Sequence, residues 1–351
     1  MSEPTSPLPA TLDWDQQPQP QVWVIPRPRQ RWWLYTLFLL LTLFSTMVVG
    51  ARMQFYFRQQ QSVFKLTDDS LSLFPIGWIA QHPANLLLGL PFSLTLMFIL
   101  FAHEMGHYLY ARHYRVYATP PFFVPFPSLI GTLGAFIRIK SPIPSRAALF
   151  DIGIAGPIAG FIPACVALAY GLSLSHPIVG SSASDIQLGF PLAFHLAAGV
   201  LHIAQLSALS LHPVAAAAWV GMFATALNLL PGGQLDGGHI VFSISPSWHR
   251  WISLLTVVAL VPFGKYLWTG WFLWAVLLAL TGRHPRVPRY PDASGGRRAL
   301  ALCAALMLVL TFTPAPFTHS SGREVWPEIR DGSRDTLHDL RDGVRHLLHR
   351  R

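Results

Sequence analysis

Four stretches of this chain, 32–51, 70–102, 152–184 and 186–235, contain no Asp, Glu, Lys or Arg. Water does not demand such segregation, whereas a bilayer does, because a helix needs about 20 consecutive apolar residues to cross its hydrocarbon. Only 12% of the residues are charged and 52% are apolar, against roughly a quarter charged in soluble domains, and the mean hydropathy is +0.41. Lipid leaves the backbone little choice but helix, so the pattern predicts an all-α polytopic membrane protein with about six to eight transmembrane helices.

The formal charge of +9 could point to nucleic acid, but the basic residues gather in short groups beside the apolar runs: Arg27, Arg29 and Arg31; Arg112 and Arg115; Arg138, Lys140 and Arg146; and the arginines from Arg283 to Arg298. That is the arrangement that keeps loops on the cytoplasmic side of a membrane, and the expected partner is a lipid bilayer, with no nucleic acid. Cys165 and Cys303 each lie inside an apolar run and make no disulfide framework. Residues 1–30, rich in Pro and Gln, read as a disordered tail. A first helix and loop are expected over 31–83, a core over 84–245, further helices over 246–313 and a polar tail over 314–351. Spans are expected at 32–51, 84–112, 147–172, 213–236, 251–264, 266–282 and 299–313, while the apolar piece at 190–210 fits a span, a half-span or a surface helix. Between the second and third spans, Pro120, Pro121, Pro125 and Pro127 forbid regular helix, and 131–140 reads as strand. Such a short re-entrant β-containing loop is tolerated at membrane depth only against protein or a wet cavity.

The chemistry concentrates in His103-Glu104-Met105-Gly106-His107. On a helix the two histidines stand about 40° apart around the axis, so both rings can reach one ion, and Glu104 lies about 60° beyond His107, within reach of a water at that ion. The alternative is a pair of histidines and a glutamate on a helix surface. Here that alternative is poor, because each ionisable group at the bilayer centre costs about 2.5–3.5 kcal/mol on insertion scales. A catalytic zinc takes a third protein ligand. His113 has the right spacing for one known pattern, but Tyr110 stands where that pattern needs a helix-ending glycine, and on a continuing helix His113 points about 240° away from His107. Asp236 is the better candidate, being the only acidic residue between Asp185 and Asp292. It follows a break made by Pro231, Gly232 and Gly233, and its structural alternative is a helix cap. With one Zn²⁺, one aspartate and an ionised Glu104 the formal charge is zero, which makes two carboxylates tolerable in low dielectric.

The H-E-x-x-H at 103–107, the N-x-x-P-x-x-x-L-D-G at 228–237 and Ala155-Gly156-Pro157 resemble the site-2 protease family of intramembrane zinc metalloproteases, in its bacterial and plastid branch without a PDZ domain. The resemblance covers roughly 84–245. It implies one zinc per chain held by His103, His107 and Asp236, with Glu104 as base and Asn228 as a polar helper near the reacting carbonyl. The implied activity is hydrolysis of peptide bonds in or near transmembrane segments of membrane-protein substrates, as in regulated intramembrane proteolysis. An unwound substrate would pair along the edge of the 131–140 strand, giving Gly131, Thr132, Gly134 and Phe136 as substrate-binding residues. The expected location is a bacterial inner membrane with the site toward the cytoplasm, or else a plastid membrane. A CAAX-type membrane protease needs a glutamate as third ligand, and the remaining glutamates, Glu3, Glu324 and Glu328, lie in the tails. An inactive membrane chaperone or a metal transporter keeping the same fold is the alternative of another class. His195, His202, His212 and His239 read as packing or lipid-edge histidines, and tryptophans at span ends, such as Trp32, Trp33 and Trp78, fit an interfacial belt.

Overall fold

The first helix, α1 (Trp32–Arg58), begins where the first apolar run begins and continues past its charged end at Arg52, which is buried in the protein. A computed structural model describes residues 31–64, 71–179, 187–282, 284, 285, 287, 288, 290 and 295–318. The tail expected at 1–30, the helix expected from about 325, and Arg283, Arg286 and Arg289 lie outside the described residues. The described residues from Trp33 onward form one compact unit.

After the short α2 (Ile76–Gln81), a 3₁₀ segment (Pro83–Gly89) leads into α3 (Leu90–His113), whose first turn holds Pro91, where a missing N–H costs nothing. The proline-rich segment that follows is extended. β1 (Phe122–Pro125) pairs antiparallel with β2 (Thr132–Phe136) in the register Phe122 to Phe136 and Val124 to Gly134. An Ala118–Ile139 bridge carries the pairing further, so the strand expected over 131–140 is a shorter strand followed by a paired extension.

α4 (Arg146–Ser173) is capped by Ser145, whose hydroxyl accepts from the N–H of Ala148 at 3.1 Å. It occupies the middle of the molecule, packed against α3, α6 (Pro213–Leu229) and α7 (Asp236–Ile244). Between α4 and α6 the chain forms β3 (His176–Pro177), α5 (Leu192–Val200) and β4 (Leu209–Ser210), with β3 and β4 paired. At 9 residues α5 is only about 14 Å long, so 190–210 is no span. α6 ends at Leu229, short of the expected 236, because Pro231 has no N–H to continue the ladder and clashes with the preceding turn. α8 (Pro246–Tyr266), α9 (Gly270–Leu280) and α10 (Arg297–Thr311) complete the helices of the described residues. The start of the tail expected from 314 is pinned: Trp271 Nε1 donates to the Pro314 carbonyl at 2.6 Å, and Leu188 bridges to Phe317.

Among the described residues three helical segments are long and apolar enough to cross a bilayer, Trp32–Arg58, Pro83–His113 and Arg146–Ser173, with shorter apolar helices at Pro213–Leu229 and Gly270–Leu280. Large apolar side chains on their outer faces, such as Phe98 (61% exposed) and Val166 (66%), are what lipid contact requires. One polar knot fastens the ends of these helices. Arg297, opening α10, donates to Asp151 of α4 through Nη2 at 2.7 Å and Nε at 2.8 Å, and the hydroxyl of Tyr114, just past α3, donates to the same carboxylate. Asp151 thus sits inside α4 as half of an ion pair.

Candidate metal centre

α3 presents His103 and His107 on one face, and that face meets the small-residue stretch of α4. A Cβ added at Gly156 would lie 2.0 Å from His107 Nε2, and one added at Gly160 would lie 2.9 Å from His103 Cβ. Two glycines one helical turn apart on α4 thus receive two histidines one turn apart on α3. Both rings are buried. His107 Nδ1 lies 2.7 Å from the carbonyl oxygen of Ile152. A carbonyl only accepts, so Nδ1 carries the proton and Nε2 of the neutral ring is left with its lone pair.

Asp236 comes from the opposite side, as the first residue of α7 after the Pro231–Leu235 turn. The turn is tight: Gly233 takes a φ of 58°, and Gly238 packs so closely on it that a Cβ there would be 2.5 Å from the Gly233 oxygen. Asp236 Oδ2 lies 3.2 Å from His103 Nε2 and 3.2 Å from His107 Nε2, and the two Nε2 atoms are 3.2 Å apart. Ligands bonded to a tetrahedral zinc at about 2.0–2.1 Å stand roughly 3.3–3.4 Å from one another. The three atoms therefore form a near-equilateral triangle of the right edge. Oδ2 is buried without a hydrogen-bond partner, and a cluster of lone pairs at this spacing is repulsive until a cation enters it. The residues fit zinc on donor type, spacing and burial. Among the described residues this is the group of His, Cys, Asp and Glu side chains whose ligand atoms converge in this way.

Glu104 is buried and shares the wall of one cavity with Ile137, just beyond β2. Asn228, near the end of α6, places its Nδ2 3.2 Å from His103 Nε2. These groups open on a cavity of about 260 Å³ whose wall includes Phe136, Ile137, Asn228, Leu235 and His239. Of the residues expected to bind substrate, Phe136 lines this cavity and Gly131, Thr132 and Gly134 do not. Gly131 packs on α1, its carbonyl accepting from Ser45 Oγ at 2.6 Å, and Thr132 is buried with its hydroxyl donating to the Val124 carbonyl. Ala135, Ile137 and Ile139 are the strand-side lining instead, and no side-chain signal in the sequence distinguished them. His113, the spaced alternative, is exposed at the end of α3. His195 and His202 are exposed and His212 caps α6, accepting from the Val214 N–H at 3.2 Å. His239 differs from that expectation: it lines the cavity, and its Nδ1 lies 2.8 Å from His284 Nε2.

A buried His₂Asp set at metal-binding distances with an adjacent glutamate, in a helical membrane protein, is the donor set that membrane metallohydrolases use. Residues 91–264 match the model of peptidase family M50, and the chain belongs to this site-2 protease family of zinc metalloproteases. It is similar to the probable zinc metalloprotease EGY1, chloroplastic, of Arabidopsis thaliana, at 30% identity over 315 residues, 85% of this chain and 55% of that protein. EGY1 of Oryza sativa subsp. japonica is 30% identical over 64% of this chain and 41% of its own length. EGY2 of Arabidopsis thaliana is 32% identical over 65% and 42%. The chain thus spans about half the length of the curated relatives it matches.

Proposed function

We propose that the chain is an intramembrane endopeptidase that hydrolyses peptide bonds in or beside the transmembrane segments of other membrane proteins, with 84–245 as its catalytic core. The observation that carries this is the triangle of His103 Nε2, His107 Nε2 and Asp236 Oδ2 at 3.2 Å edges, with Glu104 one residue along from His103. Zinc bound by these three residues supplies Lewis acidity toward a water and a peptide carbonyl. Glu104 takes the proton of the attacking water and delivers it to the departing amine. Glu104 faces Ile137 across the same cavity, which sets the base beside the strand side of the site. The Asn228 amide donates to the oxygen of the reacting carbonyl. His107 keeps its orientation through Ile152, as metal-binding histidines commonly do through a second hydrogen bond.

A helix hides its carbonyls in its own hydrogen-bond ladder, out of reach of an attacking water. The substrate is therefore unwound before attack, and the Thr132–Ile139 stretch along the cavity offers it backbone pairing. Exposed Arg112, Arg115, Arg138 and Lys140 beside the site support an orientation toward the cytoplasm or its plastid counterpart. Labelling of an Arg138→Cys protein only from the opposite side would reverse that topology. The chloroplast location in the relatives' names supports a plastid membrane over a bacterial inner membrane.

The test is cleavage of a model transmembrane substrate by the purified chain, lost with a chelator and restored by zinc. A chain that binds zinc stoichiometrically and leaves every such substrate intact is a chaperone or transporter on a protease fold.

A further inference from the structure

The turn that delivers Asp236 is poorly held by its own backbone. Within it, Gly232 N–H bonds the Leu230 carbonyl at 2.8 Å and Leu235 N–H reaches the Gly232 carbonyl only at 3.4 Å. The left-handed Gly233 peptide lies between these bonds and is held by side chains of α8. Its N–H donates to Ser253 Oγ at 3.2 Å, and its carbonyl accepts from His249 Nε2 at 3.0 Å. Two residues earlier, the Pro231 carbonyl accepts from Thr256 Oγ1 at 3.3 Å. His249, Ser253 and Thr256 stand at i, i+4 and i+7, so one stripe of α8 makes every one of these contacts.

The stripe is deliberate in energetic terms. His249 (3% exposed) and Ser253 (5%) are buried in a helix whose other faces are apolar, and a buried polar side chain without partners is costly. Their partners are backbone groups that the turn cannot satisfy alone. Gly233 in turn bears on Gly238 in the first turn of α7, where a Cβ would meet its oxygen at 2.5 Å. A displacement of the Gly233 peptide therefore moves α7, and Asp236 with it.

We infer that His249 and Ser253, supported by Thr256, are positioning residues that hold Asp236 at metal-binding distance from His103 and His107 through the Gly233 peptide. This rests on the reading of Asp236 as a zinc ligand. None of the three side chains touches the ion or the substrate. Thr256 also bonds the Ile252 carbonyl of its own helix at 2.9 Å, so its share is the smallest.

The experiment measures zinc affinity of the full chain in detergent by competition with a chromophoric chelator, alongside the Tm of the zinc-free protein. His249→Phe keeps the ring and loses the donor, and zinc should bind roughly 10-fold or more weakly, within the 10–100-fold usual for outer-shell partners. Ser253→Ala should weaken it in the same direction by less, and His249→Gln, which restores an N–H donor at similar reach, should recover most of the loss. Zinc-free Tm should change little in Ser253→Ala, which also decides the matter if His249→Phe does not fold. Wild-type zinc affinity in both variants, with Tm lowered or not, overturns the inference, as does a loss that His249→Gln fails to reverse. A wild-type chain that binds no zinc overturns the ligand reading underneath, and the positioning role with it.

Discussion

His107 Nδ1 stands 2.7 Å from the carbonyl oxygen of Ile152, five residues N-terminal to Pro157 on the neighbouring helix. That single bond joins the two longest helices of the core to the metal centre, because it sets both the tautomer and the tilt of the ring. It forms only because Gly156 and Gly160 let α3 and α4 approach closely. Gly156→Ala should therefore act on zinc more than on folding. A Cβ 2.0 Å from His107 Nε2 must displace the ring, and zinc affinity should fall by at least about 10-fold. Metal content after dialysis checks it, with Gly77→Ala, at a site where a Cβ meets nothing within 4 Å, as the control.

Glu104→Gln should abolish cleavage and leave zinc bound. The amide keeps the size of the side chain but cannot take up a proton, and Glu104 is outside the ligand triangle. Metal analysis beside an activity assay tests both halves, and retained turnover would remove Glu104 from the mechanism.

Asp236→Ala should lose zinc and activity together, while His239→Ala should keep its zinc. The first leaves two histidines around the ion, so the affinity loss should exceed the roughly 10–100-fold that follows removal of an outer partner. His239 lies three residues on, with its Nδ1 engaged by His284. Stoichiometric zinc in Asp236→Ala would instead bring His239 forward as the ligand.

Ala135→Pro should impair cleavage more than thermal stability. Ala135 pairs with Phe123 and lines the cavity, so a proline there deletes a ladder donor where the substrate is proposed to lie. Parallel loss of Tm and activity would make the hairpin a structural support only.

Arg297→Ala should lower Tm with little effect on zinc content. Its hydrogen bonds to Asp151 raise the guanidinium pKa above its ordinary value, and burial followed by the Asp151 contact raises that of Tyr114. Hydrogen bonds to charged groups contribute about 1.5–3 kcal/mol each, and the variant leaves Asp151 (14% exposed) without its cation, with only the Tyr114 hydroxyl donating to it. Thermal unfolding in detergent reads the loss.

The chain's local chemistry was decided by sequence alone. The span expected at 147–172 matches α4 to within a residue at each end, and that expected at 84–112 ends within a residue of α3, whose α-helix begins only at Leu90 after a 3₁₀ segment; hydrocarbon leaves a polar backbone no alternative to helix. His103, Glu104 and His107 share a helix, so the 3.6-residue repeat already places them at one ion. Asp236 was legible by its isolation in an apolar stretch, although some 130 residues lie between it and His107. What only the tertiary structure decided are the contacts made by backbone atoms and by surfaces from distant segments. The Ile152 carbonyl and the Gly233 peptide carry no side-chain signature, so no residue type announces them. Asp151 with Arg297, and His239 with His284, are ordinary residues until the helices pack. Among the expected substrate residues, Phe136 lines the cavity, whereas the positive φ of Gly131 and its bond to Ser45 serve the packing of the hairpin on α1. A strand's alternation tells which residues share a face, and only the neighbours that cover each face determine which one looks into the cavity.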